Sequence, residues 1–153
     1  ARAWSSDDGV ALEQFRVDPV FGGVPNWESV EADLQRVLAG RLSLEARLAD
    51  RARDYAASPR PPSAAPPRVE VSVDNDASDS ATVIEVRAPD RIGTLYRITK
   101  ALAELELDVR LAKVASLGHE VVDAFYVVDQ DGRKIDDDEH MREIQRGIAV
   151  HLT

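Results

Sequence analysis

APDRIGTLYRITKALAEL, residues 88–105, is the stretch on which the reading of this chain turns. A run of β character, ATVIEVRA at residues 81–88, breaks on Pro-Asp-Arg-Ile-Gly and passes at once into a segment where Leu95, Ile98, Leu102 and Leu105 recur every three or four residues. That spacing places the four on one face of a helix, so the stretch predicts a strand, a tight turn and a helix. At such a corner Gly93 allows close backbone approach, and the first amides of the helix have no partner inside it. A small anion or the α-carboxylate of an amino acid fits that arrangement. So does a plain corner in which Asp90 caps the helix.

Working outward, the chain predicts a strand over residues 108–116, a turn at 117–120, a strand over 121–129, a turn at Asp131 and Gly132, a helix over 137–146 and a last strand over 148–152. From residue 81 the order is β-α-β-β-α-β, the α+β ferredoxin-like arrangement. Upstream, RVEVSVD (residues 68–74) alternates as a strand does, and DNDASDS makes a turn after it. SPRPPSAAPP, residues 58–67, carries five prolines and reads as an extended linker. Before it, Val30, Leu34, Val37 and Leu38 mark a helix with Asn26 as N-cap, which Gly40 interrupts. Ser43 caps a second helix carrying Leu44, Leu48, Ala52 and Tyr55. Residues 10–18 read as a strand.

The chain repeats itself. ARAWSSDDGVALEQFRVD at the start parallels LAKVASLGHEVVDAFYVVD after residue 110, with Ala1 matching Ala112 and, one gap later, Phe15 and Val17 matching Phe125 and Val127. Residues 1–74 therefore read as a partial copy of the fold (β2-β3-α2-β4) with a helical extension and the Pro-rich linker, and residues 80–153 as a complete copy. The first copy lacks its opening strand and helix, which leaves strand edges to be paired by strand exchange, by dimerisation or by rearrangement against the second copy. A dimer or strand-exchanged assembly is expected.

Composition narrows the function classes. A formal charge of −9 over 153 residues opposes a phosphate-backbone partner, so no nucleic acid is expected. With no cysteine there is no disulfide, thiolate zinc site or cysteine nucleophile. No apolar run reaches the ~18 residues that span a bilayer, and no secretory leader is present, so a cytoplasmic chain without a membrane partner is expected. His119, His140 and His151 lack acidic or histidine partners at ligand spacing, and DDDEH at residues 136–140 fits a helix N-terminus rather than a calcium loop. No phosphate loop, nucleophile elbow or dinucleotide fingerprint occurs. Neither a metal, a cofactor nor a catalytic residue is assigned.

APDRIGTLYRITKALAELELDVRLAKVAS, followed by VVDAFYVVDQDGRKI and preceded by VSVDNDASDSATVIEV, resembles an ACT domain. More closely, it is similar to the second C-terminal ACT domain of bacterial PII uridylyltransferase/uridylyl-removing enzymes, with ALEQFRVD and LAGRLSLEARLADRARDYA as the preceding copy and its extension. The chain departs from that pattern at Ile92, where proline is usual, and at Thr94, where leucine is common. The resemblance implies a regulatory module that senses L-glutamine for a parent enzyme which nucleotidylates PII and reverses the modification; some actinobacterial relatives are held to adenylylate. It also implies that this part has no turnover, and that its partners are the parent's catalytic domains and PII. ACT ligands commonly lie between modules, at the turn before the first helix and the start of the second strand, which here implies Asp90, Arg91, Ile92, Gly93, Thr94, Leu95 and Asp108. The rival reading is a dimerisation or PII-docking module without a small ligand.

Overall fold

The computed structural model describes residues 1–6, 8–17, 23–56 and 68–153, which fall into two compact units, 16–61 and the remainder. The Pro-rich stretch and Asp18 lie outside the described residues.

The larger unit is built on β1 (Arg2–Ser5), β2 (Ala11–Gln14), β3 (Glu70–Asp74), β4 (Thr82–Pro89), β5 (Asp108–Leu117) and β6 (Glu120–Val128), with α3 (Thr94–Glu104) and α4 (Asp138–Leu152). All strand pairs are antiparallel in one sheet of order β2-β1-β5-β6-β4-β3. Strand side chains alternate between faces. Ile84, Val86 and Ala88 of β4 and Val121, Phe125 and Val127 of β6 share the buried face, where Ile98, Ala101 and Leu102 of α3 and Ile144, Ile148 and Leu152 of α4 pack on them. The α+β ferredoxin-like class holds.

Two expectations are corrected within it. Residues 148–152 are the last turns of α4, not a strand: Ile144, Ile148 and Leu152 continue a helical stripe whose burial outweighs the β-branched character of the segment. The sheet position left for a terminal strand is taken by β3, whose Val71 and Val73 face Val86 and Ile84 of β4. Glu70–Asp74, read as the end of the first copy, therefore stands at the opposite edge of the sheet from β1 and β2. DNDASDS clasps it there. Buried Thr82 donates from Oγ1 to Asn75 Oδ1 at 2.7 Å and accepts from the Ile135 amide at 2.9 Å, while Asn75 Nδ2 donates to the Ile135 carbonyl at 2.6 Å.

The internal repeat has a geometric counterpart. Arg2 pairs with Gln14 in the first hairpin as Lys113 pairs with Ala124 in the second, and Ser5 with Ala11 as Ser116 with Val121. Where the hairpins meet, Arg2 pairs with its own counterpart Lys113, and Ala3 with Ala112. Ala1 and Val114 exchange hydrogen bonds on the other side. A local two-fold axis thus passes through the Arg2/Lys113 pair, and the first copy's hairpin gains its partner from the second copy within one chain. The outer edge of β2 has no strand partner among the described residues. Phe15, just after β2, is 58% exposed, against 1% for its counterpart Phe125.

In the smaller unit, α1 (Trp27–Leu38) and α2 (Leu44–Ala56) start on the expected caps, Asn26 accepting from the Ser29 amide at 3.1 Å and Ser43 from the Ala46 amide at 3.3 Å. Gly40 turns the chain between them at φ 66°. Asp33 holds Arg36 and Arg47 at 3.2 and 3.4 Å, both exposed pairs worth little.

Candidate functional site

The corner between β4 and α3 is held from three directions. The Asp90 amide donates to the His119 carbonyl at 2.9 Å, tying the corner to the β5–β6 turn. Thr94 Oγ1 donates to the Pro89 carbonyl at 3.1 Å and accepts from the Arg91 amide at 3.3 Å, and the Thr94 amide reaches the Arg91 carbonyl at 3.1 Å. Thr94, where leucine is common in the resembling family, is therefore the internal brace of the turn and is buried. Gly93 is the N-cap, at φ 88°, a left-handed conformation that side chains with a Cβ resist.

The expected Asp90 cap is not formed. With glycine at the cap no side chain serves the helix end, and the amides of Ile92, Gly93, Leu95 and Tyr96 have no partner among the described residues. Four unspent donors at the positive end of an eleven-residue helix are an arrangement chemically suited to an anion. Asp90 and Arg91 are exposed at its rim; Ile92, Gly93 and Leu95 are half-buried.

Asp108 stands apart from these six. It opens β5 opposite Val128, whereas the corner follows Pro89, opposite Glu120. The intervening length of β6 is about 26 Å at ~3.3 Å per residue. The reason is α3 itself, which carries the chain back across the sheet before β5 begins, so the start of β5 lies at the other end of the module. Asp108 pairs there with Arg110 at 3.3 Å.

A residue the sequence reading passed over lies nearer. Asp123 is wholly buried in mid-strand on the helix-covered face, with Val86 and Val114 opposite on the flanking strands. Its Oδ1 accepts from the Ala115 amide at 3.3 Å and its Oδ2 has no partner. Burial pushes its carboxyl up to about 6, against the pull of the Ala115 amide, with Asp90 adding to the rise. The signal was in the alternation of VVDAFYVV, where an acid falls in phase with Val121, Phe125 and Val127.

Fold and corner together define a small α+β module with a glycine-capped helix end at the β4–α3 corner. The chain belongs to the ACT-domain family, since the family described as the ACR family N-terminal ACT domain matches residues 77–153. Among curated proteins it is similar to the bifunctional uridylyltransferase/uridylyl-removing enzyme of Streptomyces coelicolor, 42% identical over 95% of this chain and 17% of that protein. Enzymes of the same name from Azospirillum brasilense and Rhodospirillum rubrum are 35% and 34% identical over 99% and 100% of this chain, and 16% of each protein. The chain thus spans about a sixth of the length of these relatives. No solved structure matches it. No helix among the described residues is long and apolar enough to cross a membrane.

Proposed function

We propose that the chain is the glutamine-sensing regulatory part of an enzyme that uridylylates the PII protein and removes the modification. Its family and the printed name of its relatives support the parent activity, and that name favours uridylyl over adenylyl chemistry. The observation that carries the ligand reading is the corner at Gly93, whose four unpartnered amides suit an α-carboxylate. Glutamine acts by binding one arrangement of the parent better than another, because equal affinity for both would shift nothing.

Calorimetric titration with L-glutamine, with L-glutamate and D-glutamine as controls, tests the reading. Saturable binding selective for L-glutamine, lost in Gly93→Val, is the expected result; no binding of any of the three sinks it. A second reading, dimerisation or PII docking without a small ligand, draws on the open edge of β2, in and beside which Val10, Leu12 and Phe15 are each more than half exposed. Under that reading Gly93→Val leaves the mass in solution and PII binding as they were.

A further inference from the structure

α3 and α4 pack on one face of the sheet, and the opposite face carries a pattern of its own. The strand pairings set Trp4, Leu111, Tyr126 and Val83 side by side across β1, β5, β6 and β4. Two residues along the strands, a second row holds Arg2, Lys113, Ala124 and Glu85. We propose that two copies of this chain stack through this face, sheet on sheet, about a two-fold axis that runs along the strands between β5 and β6. The contact is independent of any ligand at Gly93 and uses the face of the sheet, not the edge of β2.

Three observations converge. The first row is apolar yet no part of the core: Trp4 is 37% exposed, and Leu111, Tyr126 and even the buried Val83 stand outside the cluster that packs under the two helices. Alternation explains this, since their strand neighbours Ala112, Phe125 and Ile84 point the other way, into that cluster. The second row holds unspent charge. Arg2 and Lys113 are directly opposite one another on adjacent strands, an arrangement that repels, and neither makes an ion pair among the described residues. Lys113 lies instead over the Tyr126 ring, 5.2 Å from its centre. Lastly, the face complements itself. Arg2 on β1 and Glu85 on β4 share a row, each one strand outside the central pair of β5 and β6. A two-fold axis between the central strands sets β1 of one copy over β4 of the other. Arg2 then faces Glu85 of the second copy, Trp4 faces its Val83 and Leu111 its Tyr126, and every contact is made twice. Sheets stacked in this way lie ~10 Å apart with their strands within about 30° of one another. Glu85 spends only Oε1 on Arg87, at 3.1 Å, on the exposed surface. An acidic partner of another kind would satisfy Arg2 and set like charge against Glu85, which is why the second copy fits better.

The test is sedimentation equilibrium of the whole chain without ligand, from about 1 to about 200 µM, where a monomer–dimer equilibrium is expected. Arg2→Glu and Glu85→Arg change side chains that lie outside the core, so both variants fold. Each sets like charge over like at both ends of the interface and weakens the dimer at least about tenfold. An equimolar mixture of the two variants recovers the affinity of the unmodified chain to within about threefold, because in the mixed dimer each reversed charge meets its opposite. A folding defect in either variant cannot be repaired by mixing. A chain that stays monomeric over the whole range, a dimer that neither variant weakens, or a loss that the mixture does not recover overturns the stacked face, and each leaves the ligand reading at Gly93 standing.

Discussion

Replacing Asp123 by asparagine should stabilise the chain, and only above the acid range. The carboxyl moves from an ordinary 3.8 to about 6 on folding, chiefly because burial disfavours its charged form. At about 1.36 kcal/mol for each pH unit this corresponds to about 3 kcal/mol. For a carboxyl whose folded value is raised, the native state holds the extra proton between the two values, so stability is complete below about 4 and falls as pH rises through about 6. Urea unfolding of both proteins from about pH 4 to about pH 8 reads this directly. The variant should match the parent chain at the acid end and exceed it by about 3 kcal/mol near neutrality. Carboxylates that titrate the other way, such as Asp129, held low by the Arg133 and Asp131 amides, are common to both proteins and cancel in the difference. A difference that does not change with pH, or a variant less stable than the parent at neutral pH, would show that Asp123 is not an uncompensated charge in the folded chain.

Gly93→Val forces a β-branched residue to φ 88° at the head of α3 and should cost about 1–3 kcal/mol, read as a lower urea midpoint with unchanged m. Thr82→Val leaves the Ile135 amide and Asn75 Oδ1 without their partner; a loss of about 1–3 kcal/mol is expected, and a thermal midpoint within error of the parent would refute the clasp. Phe125→Ala empties the centre of the helix-covered face and should cost about 3–5 kcal/mol. The counterpart substitution in the open hairpin, Phe15→Ala, should cost far less, since that ring is more than half exposed.

Local chemistry was legible where a segment carries its own periodicity and its own stops. The run Leu95, Ile98, Leu102 and Leu105, the alternation around Phe125, the caps Asn26 and Ser43, and the αL glycine at the corner all act within a few residues, and each element they mark is present. The repeat between the two hairpins was legible for the same reason. The acid at Asp123 was legible in phase but not in consequence, because the alternation gives a face and says nothing of whether a partner waits there.

Three features depend on residues distant in sequence, and only the tertiary structure decided them. Ile148 and Leu152 have side chains fit for strand or helix; packing against the sheet with Ile144 made them helix. That freed the edge of β4 for Glu70–Asp74, through the clasp of Asn75, Thr82 and Ile135. The chain reversal by α3 set Asp108 at the far end of the sheet from Gly93, and the same fold brought Asp123 to the corner's side. Periodicity is written one segment at a time, whereas edges, register between copies and the company of a buried charge are set by which segments meet.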